Sequence, residues 1–296
     1  MILPDPDGAA TERAVALTFD DLPGVVRGGL PALRECTDRL LAHLAGIPAA
    51  GFVNECGIEV AGEERERTAL LQQWISAGAE IGNHTYSHLS LHQVRVEAFW
   101  DDVMRGERIT RRLLADAGRV PRYFRHPYLQ AGRNPQVRAR VEASLAAHGY
   151  RVAPVTMNNR DWVYGAAYGR AREAGDGALM ARLRADYVRH MGEAFGFYER
   201  LSRDLCGREP AQVVVLHANL LNADCLGDLI VALRTRGYRF VSLDEALDDP
   251  EYAREDGYVG PGGLSWIERW MIGAGRPLTP PPTESEWVRR ASGISA

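Results

Sequence analysis

A chain of 296 residues, 46% hydrophobic and 25% charged, can bury a full-sized core as one large α/β domain or two smaller ones. Its formal net charge of −4 gives no electrostatic footprint for nucleic acid or an anionic membrane surface, and no apolar run approaches the about 20 residues that span a bilayer. The cysteines, Cys36, Cys56, Cys206 and Cys225, lack CxxC spacing, are too few for a disulfide scaffold, and read as buried free thiols.

The stretch Met1–Gly8 has neither a basic nor an apolar region, so no signal peptide is expected. The chain as it stands reads as cytoplasmic, or as exported after its leader has been trimmed. Arg13–Phe19 is an apolar strand ending at Asp20 and Asp21, and Leu30, Leu33, Leu40, Leu41 and Leu44 then repeat at helical spacing until Gly46. Ala50–Val53 is a second strand, Leu70, Leu71, Trp74 and Ile75 mark a second helix, and Glu80–Gly82 leads to a third strand end at Asn83-His84. One long helix is expected next, with Phe99, Val103, Ile109, Leu113 and Leu114 on one face, stopping near Gly118. Tyr123–Arg125 is the fourth strand, and Asn134-Pro135 is an N-cap and first-turn pair for a helix reaching Gly149. Val152–Thr156 and Val213–Leu216 read as buried strands, a helix is expected from about Asp224 to Arg236, and Tyr238–Leu243 is the last strand. This alternation predicts a parallel sheet, and periodicity alone does not choose between an open sheet and a barrel. Residues 163–210 read as helical and exceed a minimal crossover, while the region after Pro250 is rich in Gly and Pro but carries Trp266, Trp270 and Trp287.

A double aspartate closing a strand is often a turn cap, and two histidines four residues apart, His84 and His88, are unremarkable alone. Together they form a set: Asp21 offers a hard oxygen, the histidines offer two nitrogens, and at least one position stays open for water. Three protein ligands and water are the arrangement of a catalytic zinc site, and a second carboxylate, Asp20, is placed to take the water's proton. His92 continues the row by another four and reads as a solvent-facing residue, with a third-ligand or supporting role as the alternative. Arg125, His126, Pro127 and Tyr128 follow the fourth strand, Asp161 and Trp162 the fifth, and His217 ends the sixth. All these residues gather at carboxyl ends of parallel strands, the edge on which such folds build sites.

Thr18-Phe19-Asp20-Asp21, His84-Thr-Tyr-Ser-His88, Arg125-x-Pro127-Tyr128, Asp161-Trp162 and Leu216-His217 resemble the five ordered motifs of the NodB-homology polysaccharide deacetylases, carbohydrate esterase family 4. The resemblance spans about residues 13–245 and implies a distorted (β/α)7 barrel. Residues 1–249 would then be the barrel, with a helical insertion at about 163–210, and residues 250–296 an extension packed on it. The resemblance also implies one divalent metal on Asp21, His84 and His88, usually zinc, with cobalt or nickel as substitutes. Asp20 would be the general base tuned by Arg125, and the Tyr128 backbone N–H would help stabilise the oxyanion, with Trp162 beside the substrate. His217 would be the general acid, oriented by Asp161. Two positions depart from the pattern, His126 where many members have proline and Val215 where leucine is common, and both are expected at the pocket wall. The insertion is read either as a cap that narrows an open groove for small substrates or as the buried face of a homo-oligomer.

The activity this implies is removal of acetyl groups from an N-acetylated sugar or polysaccharide. O-deacetylation of acetylated glycans and hydrolysis of a small acetylated non-sugar amine are the alternatives on the same site. A catalytically silent carbohydrate-binding module is the alternative from another class, and loss of Asp20 or of a ligand would have signalled it. The expected partner is thus an acetylated carbohydrate or small acetylated compound, with no nucleic acid and no membrane span.

Overall fold

A computed structural model describes residues 13–294, so the Met1–Gly8 reading lies outside the described residues. Strands and helices alternate as β1 (Arg13–Leu22), α1 (Gly29–His43), β2 (Ala49–Val53), α2 (Glu64–Ser76), β3 (Glu80–Asn83), α3 (Val96–Arg105), α4 (Arg108–Asp116), β4 (Tyr123–Phe124), α5 (Pro135–Ala147) and β5 (Arg151–Val152). There follow α6 (Asp161–Glu173), α7 (Gly177–Cys206), β6 (Gln212–His217), α8 (Leu220–Thr235), β7 (Tyr238–Phe240), α9 (Leu243–Leu247), α10 (Trp266–Gly273) and α11 (Glu286–Ser292). Seven strands form as expected, but β5 keeps only Val152 of the expected Val152–Thr156, and β7 stops at Phe240, with Leu243 opening α9 instead of ending the strand.

The seven-stranded sheet runs β5-β4-β3-β2-β1-β6, parallel throughout, with β7 paired to the first residues of β1. Its two edges meet just past β5. Met157 bridges Val214 of β6, accepting from Val215 N–H at 3.3 Å and donating to the Val213 carbonyl at 3.1 Å. That bridge curls the sheet into a distorted barrel, which settles what periodicity left open. The alternation of β1 shows how the barrel is filled. Val15, Leu17 and Phe19 pack in the large cluster beneath the helices. Ala14 and Ala16 join Ala50, Phe52, Tyr123, Ala153 and Val213 in a smaller cluster, together with Leu243, Ala246 and Leu247 of α9. Continued along the same face, the alternation turns polar at Thr18 and Asp20, towards the carboxyl end of the barrel.

Four further expectations need correction. The long helix after β3 is two helices, broken at Gly106, where a Cβ would lie 2.5 Å from the Thr85 carbonyl carbon and the Tyr86 nitrogen. The backbone that carries the histidine pair occupies that space, so the helix yields to it. The helix expected from Asp224 begins at Leu220, because Asn219 caps it by accepting from Asn222 N–H at 2.9 Å. All four cysteines are free, but only Cys36 and Cys225 are buried, while Cys56 is exposed. Finally, the 163–210 stretch is more than a cap. Met191 and Phe195 of α7 pack with Val214 and Leu216 of β6 and Leu226 and Leu229 of α8, so α6 and α7 are the helical layer of the β5–β6 crossover.

The C-terminal segment adds to the same core. Trp266 N–H donates to the Val155 carbonyl at 2.7 Å, and Trp266, Ile267, Trp270, Met271 and Val288 all belong to the large cluster.

Candidate active site

The carboxyl ends of β1, β3 and β6 and the loops after β4 and β5 surround a cavity of about 370 Å³. It is lined by Asp20, Asp21, His84, His88, Tyr128, Trp162 and His217, with Val215, Asn158, Arg160, Leu129 and Gly263 completing the wall. Every site residue expected from sequence is therefore in one place, seven on the cavity surface and two, Arg125 and Asp161, buried behind it. His92 and His126 are not part of it. The His92 ring bonds Gly132 N–H and faces the Pro261 carbonyl, each at 3.3 Å. His126 is buried off the pocket wall, its ring stacked on Phe99 and edge-on to Phe124, and burial pushes it down to about 3.

One ligand atom each from Asp21, His84 and His88 lies within 4.8 Å of the others. The His84 Nδ1–H donates to the Arg125 carbonyl at 2.8 Å, which commits that nitrogen and turns Nε2 towards Asp21 Oδ1, 3.7 Å away. His88 Nε2 is also 3.7 Å from that oxygen. Asp21 Oδ1 is buried and has no hydrogen-bond partner among the described residues. A buried carboxylate oxygen aimed between two imidazole nitrogens suits a divalent cation and little else. Burial, reinforced by His88, pushes His84 down to about 3, so its ring is neutral and its lone pair free at neutral pH.

Asp20, 3% exposed, is held from behind. Arg125, fully buried in the barrel, reaches its two oxygens at 3.1 and 3.3 Å, Thr18 Oγ1 at 3.1 Å and the Ala153 carbonyl at 2.7 Å, and lies over the Phe52 ring. The polar continuation of β1's inner face thus meets the guanidinium that fills the barrel mouth. Burial lowers the Arg125 pKa, and the neighbouring Asp20 opposes that fall.

His217 is gripped by Asp161. One carboxylate oxygen accepts from His217 Nδ1–H at 2.7 Å, and the other accepts from His217 N–H at 2.7 Å and from Asn222 Nδ2 at 2.6 Å. Burial alone would disfavour the imidazolium, but Asp161, with Asp21 and Asp20 behind it, pushes His217 up to about 10. Burial would likewise raise Asp161, yet the His217 ring and these hydrogen bonds hold it below the usual carboxylate range.

Backbone strain concentrates here. The non-glycine residues with positive φ among those described are Asp21 (65°), Thr85 (64°), His88 (56°), Tyr128 (57°), Leu129 (54°) and Arg160 (59°). All but Thr85 line the cavity. Such conformations cost about 1–3 kcal/mol each and persist where the surroundings dictate them. Thr85 shows how: Asn83 Oδ1 accepts its N–H at 2.7 Å, and Asn54 Nδ2 donates to the His84 and Thr85 carbonyls. Sequence reasoning missed these asparagines, together with Asn158, Arg160, Asn222 and Gly263. The run Asn158-Asn159-Arg160 beside Asp161 was the one available signal, and Gly263 had none.

The polysaccharide deacetylase family model matches residues 7–153, about half the chain, reaching from before β1 through β5. A peptidoglycan-N-acetylglucosamine deacetylase of Bacillus cereus is 25% identical over 244 residues, covering 80% of this chain and 69% of that protein. The chitin deacetylase of the fungal pathogen Colletotrichum lindemuthianum shares the fold with a TM-score of 0.56 at 24% identity, over 80% of this chain and 88% of its own. A family 4 carbohydrate esterase pseudoenzyme from Bacillus anthracis shares it with a TM-score of 0.50 at 18% identity, over 80% of this chain and 66% of its own.

Proposed function

Because the chain belongs to the polysaccharide deacetylase family, we propose that it is a metal-dependent hydrolase that removes acetyl groups from an N-acetylated sugar or polysaccharide. The observation that carries this reading is one cavity shared by the Asp21–His84–His88 triad, the Arg125-bound Asp20 and the Asp161-bound His217. A pseudoenzyme shares the fold, but a silent module would need neither a braced base nor a braced acid.

The orphaned Asp21 oxygen and the committed His84 ring fit a divalent cation, which would supply Lewis-acid activation of water and of the acetyl carbonyl when bound. Zinc suits a set of two imidazoles and a carboxylate. Asp20 accepts the proton of the attacking water, and Arg125 fixes the carboxylate in position for it. The Tyr128 backbone N–H donates to the carbonyl oxygen as it gains charge. His217 gives the Nε2 proton to the departing nitrogen, because Asp161 holds the other ring proton on Nδ1. Protons balance: water gives one to Asp20 and its other leaves on the acetic acid, while His217 gives one to the amine. The proton held by Asp20 returns through solvent to restore His217 once the free amine has left.

Acetate release from matched N-acetyl and O-acetyl sugars tests the reading. Turnover of N-acetylglucosamine oligomers at or above that of acetylated xylan supports amide hydrolysis. Turnover of the xylan alone would make this an esterase, and turnover of neither would overturn the reading.

A further inference from the structure

Asp20 and Asp21 already make the cavity acidic, yet Arg160 also lines it, the one permanent cation among the described lining residues. Its backbone is left-handed, φ 59°, so the position is dictated by its surroundings. Glu284, whose side chain is fully buried, reaches in from the C-terminal segment and accepts from Arg160 Nε at 2.7 Å and Nη2 at 3.1 Å. That clamp leaves Nη1 with no hydrogen-bond partner among the described residues, on a side chain 36% exposed. Glu284 also binds Arg289 Nε at 2.9 Å, so two guanidiniums share one carboxylate and the trio keeps a net positive charge. Trp162 lies alongside, its ring 5.3 Å from the Arg160 guanidinium carbon and itself 41% exposed, a flat surface for a sugar ring next to a cation.

The clamp thus holds a guanidinium beside Trp162, which with Arg160 forms one side of the cavity. From this geometry we propose that Arg160 selects an acetylated sugar carrying an anionic substituent, a carboxylate, received by the free edge of the guanidinium. The proposal rests on the deacetylase reading for the acetyl group but not for the anion. Charge-assisted hydrogen bonds of this kind are specific because a neutral isostere gives the Nη1 edge a weaker partner than a carboxylate does.

The test compares N-acetylmuramic acid with its carboxamide, which differ only in that charge, on zinc-loaded wild type and on Arg160→Gln and Arg160→Lys. Wild type is expected to favour the acid in kcat/KM by about 10–100-fold, the range of one hydrogen bond to a charged group. Arg160→Gln should abolish the preference between the two compounds, and Arg160→Lys should keep part of it. No preference in wild type, which requires no variant to fold, overturns the proposal. So does a preference that survives in Arg160→Gln, since the carboxylate would then be bound elsewhere. If neither compound releases acetate, the deacetylase reading suffers, and calorimetric binding of the same pair decides the anion site: an Arg160-dependent preference for the acid upholds it, and equal binding overturns it.

Discussion

His84 and His217 face one cavity and are held in opposite protonation states. The first is driven down to about 3 by burial and by His88, which suits the proposed ligand, and the second is driven up to about 10 by Asp161, against its own burial, which suits the proposed acid. A general acid must be protonated, so activity should fall as pH rises through the His217 pKa. Asp161→Asn removes the largest raising influence, and the alkaline limb of kcat/KM should move to lower pH; an unmoved limb would detach His217 from the acid role. The stability linkage has the same sign. A histidine raised from 6.5 to about 10 contributes fully below pH 6.5 and loses that contribution as pH climbs towards 10. Asp20→Asn makes a separate prediction. The cation should still bind while acetate release drops about 10²–10⁴-fold, the usual worth of a general base. Zinc content and turnover of the same sample check both halves. At this scale sequence was most informative: the nine residues gathered at the cavity were legible as residue types at or after strand ends. The asparagines that brace them were not, because an Asn that caps a strained turn looks like any loop Asn.

The elements place those residues through backbone approach more than through side-chain packing. Gly106 breaks the α3–α4 run so that the loop bearing His84 and His88 can lie against it. Gly106→Ala should push a methyl into the Thr85–Tyr86 backbone, costing about 1–3 kcal/mol of stability. It should also weaken zinc binding, as read by calorimetric unfolding and metal titration. Gly177→Ala is the control: apart from its chain neighbours and its own helix, nothing lies within 4 Å of the added Cβ, so it should leave zinc binding unchanged and cost no stability. The strands were legible because β1 is buried on both faces and reads as a continuous apolar run. The break at Gly106 was not, because the apolar stripe from Phe99 to Leu114 continues across it and periodicity is blind to a loop arriving from elsewhere.

At the scale of the whole molecule the C-terminal segment closes the site. A Cβ at Gly263 would lie 1.6 Å from the Tyr128 carbonyl oxygen, so the chain after α9 rests directly on the loop that supplies the proposed oxyanion donor. Gly263→Ala should therefore lower kcat/KM for deacetylation while zinc content holds; unchanged kinetics would show that the wall is incidental. This long-range closure left no trace in sequence, since it is made by a glycine and by backbone groups such as Trp266 N–H on the Val155 carbonyl. The barrel itself was reachable through the ordered motifs, although alternation alone stopped at a parallel sheet. The central claim, a cation on Asp21, His84 and His88 that acetyl hydrolysis requires, is tested most directly by stripping the protein with a chelator and titrating zinc back during acetate release from N-acetylglucosamine oligomers. Activity should be lost on stripping and return in proportion to zinc up to one equivalent per chain, and His84→Ala should not recover. Full activity in the stripped protein would contradict the account.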